Sequence, residues 1–209
     1  MSPTPTQAAA AGQSITAGDG LRSPRPSPAR QRLLDTATDL FYREGIHSVG
    51  VDRIVAEAGV TRATMYKQFE GKEGLVLAYL AGEDERLRDL FARAGTASSD
   101  PAVLLELVIA GIEQDIREHH TRGCPFINAA AEYPDDGPVR ALIADHREWF
   151  RSTLEQLAIG AGLDAPPDVA ASLVLLRDAA LVGGYLDGRE RVAPAFARTA
   201  LGVLAAHRR

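Results

Sequence analysis

The chain has 209 residues, 45% hydrophobic and 24% charged, the proportions of a globular protein able to bury a substantial core. Its single cysteine excludes an internal disulfide, no apolar run approaches the roughly 18 residues of a membrane span, and the first twenty residues lack the basic start and compact apolar stretch of a signal peptide; the expectation is a cytoplasmic protein with no membrane partner. The net charge of −5 argues against a broad electrostatic grip on nucleic acid, yet Arg22 to Tyr79 holds nine basic residues against seven acidic ones, and Leu80 onward holds fourteen against twenty, so the positive charge is concentrated early.

Residues 1–28 are rich in Pro, Ala, Gly, Ser and Thr, show no helical period and read as a disordered tail. Arg22, Arg25 and Arg30 stand at its end, either as a basic arm for a minor groove or as part of a solvated extension. From Arg30 a helical stripe begins with Leu33, Leu34, Ala37, Leu40 and Phe41. Residues 51–74, VDRIVAEAGVTRATMYKQFEGKEG, then read as a helix, a sharp turn, a second short helix and the start of a third. In the first of these Ile54, Val55 and Ala58 form the apolar stripe, and Gly59 suits the left-handed residue that closes a helix while Val60 folds back. Thr61 is a good N-cap for Arg62 to Phe69. There Met65 and Phe69, spaced i, i+4, face inward and leave Ala63, Thr64, Lys67 and Gln68 outward with Arg62 and Tyr66 on the flanks. Small, amide and cationic side chains on one exposed helix face suit base edges and phosphates. Gly71, Lys72 and Glu73 open the next helix, whose positive end can hold a phosphate.

The stretch from about Arg32 to Leu80 resembles the DNA-binding domain of the TetR family of one-component regulators. The matching residues are Leu40-Phe41, Gly45, Ile54, Ala56, Ala58-Gly59-Val60, Thr64-Met65-Tyr66, Phe69, Lys72-Glu73 and Leu75. The resemblance implies that Arg62, Ala63, Thr64 and Lys67 meet bases or nearby phosphates, and that Tyr66 and Lys72 bind phosphates. Gly50 and Gly71 depart from it, standing where Ser, Thr or Asn often caps a helix.

Further helices are expected over about Lys72 to Ala94 and Pro101 to His120, with Leu104, Leu105, Val108, Ile112 and Ile116 inward in the second. A short segment from Cys124 to Tyr133 precedes a long helix from Pro138 to about Ile159, Pro166 and Pro167 open the next, and the last begins near Glu190. The fold class is therefore all-α with about nine helices. It divides into a tail (1–28), a three-helix helix-turn-helix domain (29–75) and a helical ligand-binding and dimerisation domain (76–209). Residues 171–186, ASLVLLRDAALVGGYL, are apolar almost all round, interrupted mainly by Arg177 and Asp178, so this helix needs cover on every side. A second copy of the chain supplies that cover, giving a four-helix homodimer interface through Leu173, Leu176, Ala180, Phe196, Ala200, Val203 and Leu204. Such a dimer sets two recognition helices about 34 Å apart on a palindromic double-stranded DNA operator.

By the same resemblance a small-molecule inducer binds among the middle helices and releases a repressor from its operator. The candidate lining is Phe91, His119, Cys124, Phe126, Asn128, His146, Trp149 and Phe150, aromatic bulk with a few polar handles, although for any one of them core packing is the better account. Cys124, at a helix start near His and Arg, is also a candidate thiol sensor of electrophiles or oxidants. His119, His120, Cys124 and Asp115 match no metal-ligand spacing, and no cofactor is implied. The competing class is a helical carrier or enzyme, but there is no nucleophile elbow, phosphate loop or HExxH to support catalysis.

Overall fold

A computed structural model of the protein describes residues 27–208, so the expectation for the tail, Arg22 and Arg25 included, lies outside the described residues. Among these, all regular structure is helical. The order is α1 (Pro28–Glu44), α2 (Val51–Glu57), α3 (Arg62–Phe69), α4 (Lys72–Ala97), α5 (Pro101–Glu118), α6 (Pro125–Glu132), α7 (Pro138–Gly160), α8 (Pro166–Gly183) and α9 (Arg189–Ala206).

The helix starts follow from local chemistry. Ser27 accepts from the Arg30 N–H at 3.2 Å and is followed by Pro28. Asp100 accepts from the Ala102 N–H at 2.9 Å and is followed by Pro101. Pro125, Pro138 and Pro166 open α6, α7 and α8 in the same place, where a missing N–H breaks no bond and the fixed φ is already helical.

Helices α1, α2 and α3 pack on one another, and α1 and α3 pack on α4, in whose first turns Leu75, Val76, Tyr79 and Leu80 are buried. The remainder of α4 joins α5, α7, α8 and α9 in one bundle, and α6 lies against α4 and α7. A π-helical turn, Gly184–Gly188, runs on from α8 without a gap in helical structure, and the chain then reverses at Gly188 (φ +95°). The reversal brings the Asp164 N–H to the His207 carbonyl at 2.8 Å, so the start of α8 lies beside the end of α9.

The α8–α9 stretch bears on two of the expectations. By length and composition alone, Pro166–Ala206 contains an 18-residue window apolar enough to cross a membrane, which a search for unbroken apolar runs misses. The stretch is a hairpin carrying a buried Arg177, and much of its apolarity serves the protein's own core. Second, Leu173, Ala180, Phe196, Ala200 and Leu204 are all buried within the protomer, and Leu176 and Val203 pack partly against the same core. The large outward apolar residues of the hairpin are instead Leu175 (68% exposed), Val182, Tyr185, Leu186 (70% exposed) and Leu201. On a helix apolar all round, periodicity cannot tell which face turns inward.

Candidate nucleic-acid interface and ligand pocket

The turn between α2 and α3 closes as its residues dictate. After Ala58, Gly59 takes φ +62°, its N–H donates to the Ala56 carbonyl at 3.3 Å, and the Val60 N–H donates to the Val55 carbonyl at 3.1 Å. This paired closure uses a left-handed residue that favours glycine. Thr61 then accepts from the Thr64 N–H at 3.2 Å, and its hydroxyl lies 2.8 Å from that of Thr64. Met65 and Phe69 are buried, which fixes the rotation of α3 and turns Arg62, Ala63, Tyr66 and Lys67 to solvent.

The outward residues differ in how free they are. Lys67 and Tyr66 make no hydrogen bond or ion pair among the described residues, and Tyr66 is half exposed. Arg62 sits 3.2 Å from Asp52, an exposed pair of the kind worth at most about 1 kcal/mol, readily given up for a phosphate. Thr64 is partly buried with its hydroxyl engaged in the cap. Lys72 is partly buried with Nζ 6.0 Å from the Phe41 ring centre, and burial holds its ammonium below the usual lysine value despite nearby Glu132.

Two supports of α3 were not legible in the sequence. Arg30 donates to the Gln68 carbonyl at 2.5 Å and its guanidinium lies 4.1 Å from the Phe69 ring centre, so it secures the end of α3 rather than extending as part of an arm. At Gly74 a Cβ would stand 1.8 Å from the Phe69 carbonyl oxygen. Only glycine lets α4 begin this close beneath α3.

In the other half, a cavity of about 470 Å³ opens among α4, α5, α6 and α8, lined by Leu87, Leu90, Asp115, His119, His120 and Phe126, together with Glu83, Arg86 and Arg177. Of the eight candidate lining residues, His119 and Phe126 reach it. Phe91, His146, Trp149 and Phe150 are drawn instead into an aromatic cluster beside it: Phe126 stacks on His146 at 3.7 Å, and Phe91 meets Trp149 and Phe150 edge-on at 5.4 and 5.9 Å. Asn128 donates to the Arg122 carbonyl at 3.0 Å. Cys124 is 1% exposed, without the access that a reactive thiol needs.

The polar wall is largely self-satisfied. Asp115 lies 2.5 Å from Arg86 and 2.8 Å from His120, and Arg86 also reaches Glu83 at 2.9 Å. Burial pushes the Asp115 carboxyl up, but His120 and Arg86 outweigh it and hold the group well below the usual carboxylate range. His146 binds Asp84 at 2.7 Å, yet burial, aided by the cations Arg177 and Arg88, keeps its pKa below the ordinary histidine value.

Comparison with known proteins bears on both halves. Residues 33–79 match the family model described as bacterial regulatory proteins, tetR family. An uncharacterised HTH-type transcriptional regulator of Mycobacterium tuberculosis, Rv1255c, is 39% identical over 69 residues, 33% of this chain and 34% of its own; the chain thus matches about a third of the length of the first curated relatives. KstR2 of Rhodococcus jostii, named as an HTH-type transcriptional repressor, is 28% identical over 128 residues, 61% of this chain and 58% of its own. The crystal structure of SCO4454, a TetR-family transcriptional regulator from Streptomyces coelicolor, is similar over 86% of this chain and 96% of its own, with 43% identity and a TM-score of 0.82. Such a relative, matched over nearly its whole length, joins the helix-turn-helix at residues 51–74 in one conclusion: the chain belongs to the TetR family of transcriptional regulators, DNA-binding proteins and not enzymes.

Proposed function

We propose that the chain is a cytoplasmic homodimeric repressor that binds a palindromic operator through two copies of α3 and releases it when a small molecule enters the cavity bounded by α4, α5 and α8. The observation that carries this reading is the outward face of α3, where Lys67 and Tyr66 stand unengaged beside Arg62 and Ala63. Arg62, Ala63, Thr64 and Lys67 meet bases or adjacent phosphates in the major groove, while Tyr66 and the α4-terminal Lys72 hold the backbone. Residues 29–75 act as the reading head, and residues 76–209 carry dimerisation and ligand binding. Leu175, Val182, Leu186 and Leu201 form the apolar surface for the two-fold mate, because several large apolar side chains exposed on one helical hairpin suit an interface. A dimer seated on a promoter represses by excluding polymerase, and the repressor name of KstR2 agrees with that sign.

The test is binding to the DNA upstream of the protein's own gene, measured by fluorescence anisotropy across a salt series. Lys67→Ala is expected to weaken binding and to reduce the salt slope by about one. Leu175→Glu is expected to sediment as a monomer and to lose operator binding. Saturable binding that survives both substitutions would refute this arrangement.

A further inference from the structure

Arg177 is the charge that interrupts the most apolar helix of the chain, and it is 4% exposed. Among the described residues its guanidinium forms no ion pair, and its Nε is buried without a hydrogen-bond partner. The neighbouring carboxylate cannot serve, since Asp178 turns away to Arg147 at 2.9 Å. In the same cavity lining, Asp115 is already engaged by Arg86 and His120, and Glu83 by Arg86. The ring of Phe150 lies 5.2 Å from Arg177 Cζ. A buried cation without a counter-charge is strongly disfavoured, so a chain that keeps one in a cavity wall has a reason outside its own folding.

We propose that Arg177 is the anchor for a monocarboxylate ligand with an apolar body, bound in the cavity among α4, α5, α6 and α8. The planar guanidinium fork matches a carboxylate in a two-bond geometry that an alcohol or amine cannot reproduce. Ligand charge is limited to one, because Arg177 is the buried lining cation without an ion pair, while Arg86 is already held by Glu83 and Asp115, and Glu118 adds a further carboxylate to the lining. A second negative charge would face those three carboxylates. Leu87, Leu90 and Phe126 supply the surface for the apolar body. This inference rests on the ligand-responsive reading above and names the chemistry of that ligand.

The test is calorimetric titration of the full chain at neutral pH with straight-chain carboxylates from butanoate to dodecanoate, each matched by the alcohol and the amine of the same length. The best carboxylate is expected to bind about tenfold or more tightly than its alcohol, and the preference should vanish in Arg177→Met. Because that substitution removes an unpaired charge, the melting temperature of the ligand-free variant should equal or exceed that of the parent. A carboxylate series that never outbinds its alcohols overturns the proposal, and so does a clear drop in melting temperature for Arg177→Met, which would make the guanidinium a structural element. Operator binding, followed in the same samples, separates the two readings. Carboxylate binding lost in Arg177→Met supports the anion site even where operator affinity is unchanged, a result that would refute induction alone. Operator release by the alcohols as well as the carboxylates would refute the anion site and retain induction.

Discussion

Gly74 has no functional group, yet it sets how closely α4 approaches the end of α3, because a methyl group there would collide with the backbone oxygen of Phe69. Backbone cannot move aside as a flexible side chain can. Gly74→Ala is therefore expected to destabilise the chain by about 3 kcal/mol, read from urea unfolding. Gly59→Ala, which only forces an alanine into the left-handed region, should cost roughly 1–2 kcal/mol by the same measurement. The role of Gly59 was legible in the sequence, since a left-handed closure is a property of a few consecutive residues. The role of Gly74 was not, because it depends on the angle between two helices. Arg177 lies between these cases: the sequence marks it as an interruption, but only its surroundings reveal that it lacks a partner.

At the scale of elements, α6 is only eight residues long, and it fastens the reading head to the bundle. Its last residue, Glu132, accepts from the N–H groups of Ile46 at 2.8 Å and His47 at 2.5 Å, in the turn that leaves α1. In the segment before α6, Tyr42 of α1 donates its hydroxyl proton to the Gly123 carbonyl at 3.0 Å and accepts from the Arg122 N–H at 2.8 Å. Glu132→Ala leaves two backbone donors without their partner and should cost about 1 kcal/mol. Hydrogen exchange of residues 45–49 should quicken in this variant, detectable by mass spectrometry, while exchange in α8 and α9 stays unchanged. The helices themselves were legible, since their prolines, caps and glycines act locally. Their fastenings join residues eighty or more positions apart, and no periodic pattern carries such a pairing.

For the whole molecule, the shifted ionisations combine into one pH profile. His146 titrates below its ordinary 6.5, held neutral mainly by burial. The unfolded chain therefore takes up that proton first on acidification, and stability falls as pH drops below about 6.5. Asp84 and Asp115 lie below their ordinary 3.8 and add a steeper loss below that value. Tyr42, Tyr79 and Tyr133 are raised above 10.0 by burial, so stability falls again as pH climbs past 10. Urea midpoints should accordingly stay level between about pH 7 and 9. His146→Gln should flatten the shoulder near 6.5 and leave the fall below 4 in place.

The sequence by itself determined the all-α class, the helix-turn-helix, and the inward pair Met65 and Phe69 that sets the rotation of α3, although Thr64 and Gln68, expected outward, are partly buried. These rest on short-range rules: a 3.6-residue period, an N-cap, a left-handed glycine. Tertiary structure decided which face of the α8–α9 hairpin is buried, how Arg30 and Gly74 hold α3, and that Phe91, Trp149 and Phe150 pack beside the cavity while Phe126 and Arg177 line it. A helix apolar on all sides carries no directional signal, and the partners of a charge are set by whichever chain segments fold against it.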